Sequence, residues 1–244
     1  MIARPRGFLF DFGDTLILEV REDRAAGVRW LFEQAAHVPA AVSLARLLER
    51  AERVRREIDA KRIPGEIEVS WVQRMRLTFE PLGVRFAAPL AEYELGAWQR
   101  VVETRRLPGV REALAELHAA GCPLGVVSNA SFSSAAIRFE LARHGLDAQL
   151  AFVLASSDYG VRKPSKLLFE AAALQLGVPP RDIWFIGDRL DKDIAGARAA
   201  DMTAVWIRAV DRAETPREGA MPDLVARSWS EVVALAREHG LGRD

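Results

Sequence analysis

The chain has a single cysteine, Cys122, so no disulfide can close within it. That excludes a small secreted scaffold held by disulfides and fits a reducing compartment. It also has no excess of either charge, with 34 basic residues against 34 acidic ones. No overall field therefore draws the molecule to DNA or to an anionic membrane, and a general nucleic-acid binder is not expected. No apolar run approaches the roughly 20 residues that a membrane helix needs. Arg4 and Arg6 precede an apolar stretch, as in a secretion signal, but Asp11 and Asp14 interrupt it too early for a signal core. Internal repeats and low-complexity segments are absent as well. The expectation is a soluble, cytoplasmic protein with neither a nucleic-acid nor a membrane partner.

What the chain does have is apolar substance, half of its 244 residues. That length suits one large domain, or one domain with an insert. The run Gly7-Phe8-Leu9-Phe10 is too short for a helix, is rich in aromatics and ends on Asp11, and so predicts a buried strand. From 21 to 106 helical periodicity dominates, broken at Pro39, Pro64-Gly65, Pro81 and Pro89. Apolar stripes such as Val28-Leu31-Phe32-Ala35 and Trp71-Val72-Met75-Phe79 predict about four helices in a bundle. No stretch there reads convincingly as a strand. After Pro108-Gly109 the texture alternates. Strands are predicted near 123–127, 151–154, 182–186 and 203–207, with helices between them, a closing helix over 229–238, and a loop over 211–222. Alternation of this kind predicts an α/β fold: a parallel, Rossmann-like sheet with helices on both faces. Residues 1–20 and 107–244 would form that core domain, and 21–106 an all-α helical domain inserted after the first strand.

Open parallel sheets bind ligands beyond the carboxyl ends of their strands. Asp11 follows the first apolar run, Ser128 and Asn129 follow Val127, and Gly187-Asp188 follows Ile186, with Asp193 on the next turn. Lys163 stands just before the helix at Pro164. Carboxylates brought together this way repel one another, and a hard divalent cation such as Mg²⁺ removes the conflict. A lysine and a hydroxyl can hold phosphoryl oxygens, and an ionised aspartate in line with phosphorus can act as nucleophile. Each residue alone also has a plainer reading: a helix cap for Asp188 or Asp193, turn chemistry for Ser128-Asn129, a solvated charge for Lys163. Their placement at successive strand ends favours the chemical reading.

These motifs resemble those of the haloacid dehalogenase superfamily, over nearly the whole chain. Asp11-Phe12-Gly13-Asp14-Thr15 resembles its first motif, Val126-Val127-Ser128-Asn129 its second, and Lys163 in Gly160-Val161-Arg162-Lys163-Pro164 its third. The run from Gly187 to Ala197 resembles its fourth, and Pro108-Gly109-Val110 the re-entry from a helical cap. The resemblance implies a Mg²⁺-dependent phosphohydrolase acting on a small phosphorylated substrate through an aspartyl phosphate. It implies Asp11 as nucleophile and metal ligand, with the Gly13 carbonyl, Asp188 and Asp193 completing the metal site. Ser128 and the Asn129 N–H would hold the phosphoryl group, Lys163 would neutralise charge, and Thr15 would support the loop. The helical insert resembles the cap that closes over such sites.

One position departs from the family pattern. Family phosphatases usually carry, two residues after the nucleophile, an Asp that acts as general acid and base. Here that position is Gly13, and the carboxylate stands one place later, at Asp14. Asp14 is a candidate acid; its plainer reading is a loop carboxylate that bonds nearby N–H groups. Slow turnover, or turnover restricted to good leaving groups, is one expectation. A catalytically weak or inactive binding or regulatory protein is the alternative. A metal-independent dehalogenase fits less well, because Asp188 and Asp193 suit a cation. A second departure, Asp201 in place of the usual Gly, is expected to bear on helix termination. The basic run Arg50, Arg53, Arg55, Arg56, Lys61 and Arg62, interleaved with Glu49, Glu52 and Glu57, reads as a solvated helix face. Nothing in the sequence fixes the oligomeric state.

Overall fold

The computed structural model describes residues 2–62, 64–210, 215 and 219–242. The stretch 211–222, expected to be a loop, therefore lies mostly outside the described residues. The chain forms β1 (Gly7–Phe10), β2 (Ile17–Glu22), α1 (Arg24–Gln34), α2 (Leu44–Arg62), α3 (Trp71–Phe79) and α4 (Glu94–Val101). There follow β3 (Val102–Arg106), α5 (Val110–Ala119), β4 (Leu124–Ser128), α6 (Ser134–Arg143), β5 (Leu150–Ala155) and the single turn α7 (Ser156–Tyr159). The last part contains α8 (Lys166–Leu176), β6 (Ile183–Gly187), α9 (Ala195–Ala199), β7 (Thr203–Ile207), β8 (Leu224–Ala226) and α10 (Trp229–Glu238). Among the described residues no helix is long and apolar enough to cross a membrane.

Six strands make one sheet in the order β5-β4-β1-β6-β7-β8, with every pairing parallel. Alternation along β1 explains why its residues are all apolar. Phe8 and Phe10 join a core with α5, α6 and α10 on one face, while Leu9 joins α8 and α9 on the other. A strand covered on both faces has no side left to solvate. The fold is the α/β, Rossmann-like arrangement that the alternation predicts. β1 sits in the middle, and the chain runs from it first to β4 and β5 and later to β6, β7 and β8. The carboxyl end of β1 is thus a topological switch point, where the flanking connections diverge and leave a crevice.

Three features differ from the sequence reading. The chain passes to and from its helical insert through an antiparallel hairpin, β2 with β3, whose strands reach into the stretch read as purely helical. Its alternation is hidden because Val102 also completes the apolar stripe of α4. Secondly, β8 adds a short edge strand beside β7. Three residues are too few for a periodic signal. The helix expected from Asp191 begins instead with a wide turn over Leu190–Ile194. Asp201 follows α9 with φ 58°, in the left-handed region where a helix stops. Glycine is the usual occupant there, but aspartate tolerates it.

The helical layer packs over the crevice and is tied to the core at several points. Ile67 bridges Val161, and the Glu68 N–H donates to the Gly160 carbonyl at 2.9 Å. The Trp71 N–H donates to the Ser131 carbonyl at 2.7 Å. The buried Glu68 carboxylate accepts from Arg62, at 3.1 and 3.2 Å, and from the Ser156 hydroxyl at 3.0 Å.

Underneath the loop after β1, α10 supplies Trp229, whose ring lies 5.5 Å from that of Phe10. Its indole N–H donates to the Thr15 carbonyl at 3.0 Å, in the interior. Trp229→Phe keeps most of the packing and orphans that carbonyl. It is expected to lower the unfolding free energy by about 1–3 kcal/mol in urea titration; an unchanged midpoint would show that the bond contributes nothing.

Candidate active site

Each site residue is held by the end of a strand. The Asp11 N–H donates to the Ile186 carbonyl at 2.9 Å, prolonging the β1–β6 ladder by one residue. The chain then turns tightly: the Leu16 and Ile17 N–H groups both donate to the Phe12 carbonyl, at 3.0 and 3.1 Å. Asp14 takes φ 55°, and its N–H donates to the Ile17 carbonyl at 2.6 Å. The fully buried Thr15 hydroxyl lies 3.5 Å from both Asp11 Oδ2 and Asp188 Oδ1. Asp188 follows β6, and its backbone carbonyl accepts from the Trp206 indole at 2.9 Å. Asp193 comes back toward it across the wide turn, with its Oδ2 accepting from the Arg189 N–H at 3.0 Å. This approach requires glycine at 187, because a Cβ there would meet the Asp193 side chain at 2.5 Å.

Lys163 is 2 % exposed, and its ammonium donates to Asp11 Oδ1 at 2.5 Å and to the Val127 carbonyl at 2.8 Å. It also lies 2.7 Å from Asp193 Oδ1. The Asn129 side chain clamps its backbone: Nδ2 donates to the Lys163 carbonyl at 3.0 Å and Oδ1 accepts from the Lys163 N–H at 2.7 Å. The Asn129 side chain is thus committed to positioning Lys163. Only its backbone N–H is left to meet a ligand beside the buried Ser128. All seven of Asp11, Gly13, Asp14, Ser128, Asn129, Lys163 and Asp188, together with Asp193, line one cleft of about 320 Å³.

Asp11, Asp188 and Asp193 are all buried, and each offers an oxygen within 4.8 Å of the others. Burial, then the charges of Asp11 and Asp193, push the Asp188 carboxyl up to about 8. Burial pushes Asp193 up to about 6, although Lys163 pulls the other way. Burial also works against the Lys163 ammonium, but Asp11 and Asp193 outweigh it and hold that pKa above the ordinary lysine value. One ammonium balances one of three carboxylates. The donor set is all oxygen, buried and deficient in positive charge, which fits a hard divalent cation.

Several cleft residues escaped the sequence reading. Arg62 stands in the basic run read as a solvated face. Arg53, Arg56 and Lys61 of that run are exposed, but Arg62 turns into the cleft and pairs with Glu68 and Asp59. The final turn of α2 lies against the core, which no charge pattern reveals. Glu19, Glu22 and Arg24 reach the cleft from the hairpin and its exit. Burial of the carboxylate, then Glu22 and Asp11, push the Glu19 pKa up. Burial falls steadily along Ile17-Leu18-Glu19, from buried to exposed, so no alternation marks Glu19 in the sequence. Trp98 also lines the cleft, while Trp71 lines an adjoining, more apolar cavity of about 220 Å³ that shares Glu22, Arg24, Ser131 and Phe132.

The family model for haloacid dehalogenase-like hydrolases matches residues 5–201. The chain is 36% identical over 133 residues to phosphoserine phosphatase of Thermus thermophilus, covering 53% of this chain and 52% of that protein. It is 35% identical over 135 residues to glyceraldehyde 3-phosphate phosphatase of Methanopyrus kandleri, covering 54% and 56%. The matched stretch thus spans about half the length of each of these two relatives. Among solved structures, 2-haloacid dehalogenase from Pseudomonas syringae pv. Tomato DC3000 superposes with a TM-score of 0.65 at 25% identity, covering 98% of this chain and 100% of that one.

The raised carboxyl groups make stability depend on pH. The folded protein binds protons at Asp188 and Asp193 more tightly than the unfolded chain, whose aspartates ionise near 4. Their favourable contribution is complete at low pH and is lost as pH rises through about 6 and then about 8. Asparagine at 188 cannot ionise. In EDTA, from pH 5 to 8, the melting temperature of the natural protein is expected to fall more steeply than that of Asp188→Asn. Parallel curves would mean that Asp188 is ionised throughout.

Proposed function

The chain belongs to the haloacid dehalogenase-like hydrolases, and we propose that it is a Mg²⁺-dependent phosphohydrolase of small phosphorylated metabolites, with Asp11 as nucleophile. The observation that carries this reading is the pairing of Asp11 with Lys163 at 2.5 Å, inside a group of three buried carboxylates at the switch point of the sheet. The two curated relatives described above are named as phosphatases of small phosphorylated compounds, which supports the same substrate class.

In this reading the Asp11 carboxylate attacks phosphorus and the bond to the ester oxygen breaks, leaving an aspartyl phosphate. Water then attacks that phosphorus, releasing inorganic phosphate and restoring Asp11. Lys163 orients the Asp11 carboxylate by its direct contact and offsets charge on the phosphoryl oxygens. The Ser128 hydroxyl and the Asn129 N–H hold the phosphoryl group at the end of β4. Mg²⁺, held by Asp11, the Gly13 carbonyl, Asp188 and Asp193, would offset the remaining negative charge and polarise the phosphoryl oxygens. The helices over the cleft form a cap, residues 21–106, that excludes water and contacts the leaving group. Arg24, Arg62, Arg162 and Lys192 also line the cleft and suit an anionic substrate. Position 13 brings no side chain to the leaving oxygen, which favours a second reading: a protein that binds phosphorylated ligands and turns them over slowly or not at all.

p-Nitrophenyl phosphate separates the two, because its leaving group departs without needing a proton. Hydrolysis is expected with Mg²⁺ and not in EDTA. Asp11→Asn is expected to reduce it by roughly 10⁴-fold or more, the scale on which losing a nucleophile acts. Absence of Mg²⁺-dependent turnover, or turnover indifferent to Asp11→Asn, would leave the binding-protein reading.

A further inference from the structure

Transfer of a phosphoryl group to Asp11 leaves an alkoxide unless a proton arrives as the bond breaks. The donor has to stand at the mouth of the cleft, across the phosphoryl group from Asp11. Lys163 does not qualify: it is buried on the Asp11 side and shared among Asp11, Asp193 and the Val127 carbonyl. Three further carboxylates line the cleft, those of Asp14, Glu19 and Glu22.

Their surroundings differ. Glu22 is engaged by Arg24, whose guanidinium donates to both of its oxygens at 2.7 and 2.6 Å. Asp14 sits on a backbone of φ 55°, fixed by the tight turn after Asp11. Glu19 projects from β2, and its Oε1 comes to 3.2 Å from the point where a Cβ on Gly13 would stand. The absence of a side chain at Gly13 is therefore matched by a carboxylate from six residues further along. Among the described residues no hydrogen bond or ion pair ties that carboxylate down.

The hairpin brings a second carboxylate to the side that Glu19 occupies. Regular strand alternation would put residues 19 and 22 on opposite faces. The β2–β3 register shifts between Glu19 and Arg21, so that Glu19 opposes Thr104 while Arg21 opposes Glu103, leaving Val20 as the extra residue. A bulge of this kind re-aims the side chains on either side of it. Here it brings Glu19 and Glu22 to the same cleft, and Arg24 then occupies one of the two.

We propose that Glu19 is the general acid and base of the reaction, supplied by the hairpin in place of a side chain at position 13. This rests on the phosphohydrolase reading above. The Glu19 carboxyl group gives its proton to the ester oxygen as the P–O bond breaks and the Asp11–phosphorus bond forms, so the product leaves as a neutral alcohol. The Glu19 carboxylate then takes a proton from the water that attacks the aspartyl phosphate. Phosphate is released, and the Asp11 carboxylate and the Glu19 carboxyl group are both restored.

The test compares kcat/KM for p-nitrophenyl phosphate and phenyl phosphate, esters of similar shape whose leaving groups differ in their need for a proton. Glu19→Gln preserves shape and removes the ionisable group. It is expected to lower kcat/KM for phenyl phosphate by roughly 10²–10⁴-fold while changing that for p-nitrophenyl phosphate far less. Gly13→Asp added to Glu19→Gln is expected to restore phenyl phosphate turnover, since the new carboxylate grows into the same space. Asp14→Asn is expected to leave the ratio of the two esters unchanged. A merely structural role for Glu19 would depress both esters alike. An equal fall on both esters, an unchanged phenyl phosphate rate, or a ratio that responds to Asp14→Asn instead would overturn the assignment. In each of those cases p-nitrophenyl phosphate turnover by the natural protein leaves the phosphohydrolase reading intact. No turnover of either ester by the natural protein overturns both.

Discussion

The ammonium of Lys163, set between Asp11 and Asp193, is the contact on which the rest of the active end depends. Three carboxylates and one ammonium are taken out of water at the same sheet edge, at a cost that only good geometry offsets. That constraint spreads into the backbone. Both main-chain groups of Lys163 are fixed by one asparagine side chain, and the ammonium is completed by the Val127 carbonyl. Asp193 can reach it only because Gly187 has no Cβ. Two tryptophans, Trp206 on β7 and Trp229 on α10, hold the Asp188 and Thr15 carbonyls and so fix where the acidic loops turn. Side chains whose own chemistry is inert thus determine the positions of the clustered carboxylates and the lysine.

This dependence explains which parts were legible in the sequence. Short apolar runs ending in Asp11, Ser128 or Gly187-Asp188 mark strand ends because a parallel sheet covered on both faces leaves no other pattern for its strands. The cleft is lined by the first residues past each run, so finding the strand finds the candidate site. Asn129 was legible as a residue at a strand end but not as a clamp: its spacing says where it stands, while its partner is 34 residues away. Arg62 misled for a related reason. Its neighbours on α2 are solvated, and only the docking of the last turn on the core separates it from them. The hairpin was hidden because Val101 and Val102 continue a helical stripe into a strand, and β8 because its three residues carry no period.

Gly13 shows what a motif conveys and what it does not. Taken as a linear pattern, the stretch from Asp11 to Thr15 lacks a carboxylate at position 13. In three dimensions the space beside Gly13 is approached by Glu19, carried there by a ribbon that the motif does not include, and a one-residue irregularity after it turns Glu22 to the same side. Sequence spacing records which residues are near along the chain; a bulge changes which residues are near in space.

On the Glu19 assignment, the arrangement also has an electrostatic logic. The floor of the cleft already carries more carboxylates than Lys163 can balance, and burial drives Asp188 and Asp193 upward. An acid on the loop at 13 would be anchored to that floor. On the hairpin it instead stands at the mouth, beside a Glu22 whose charge Arg24 offsets. The same two strands are the only covalent connections between the helical layer and the sheet. A carboxylate carried on them is tied by the chain to the helical layer as well as to the sheet. A carboxylate fixed directly after β1 has no such link.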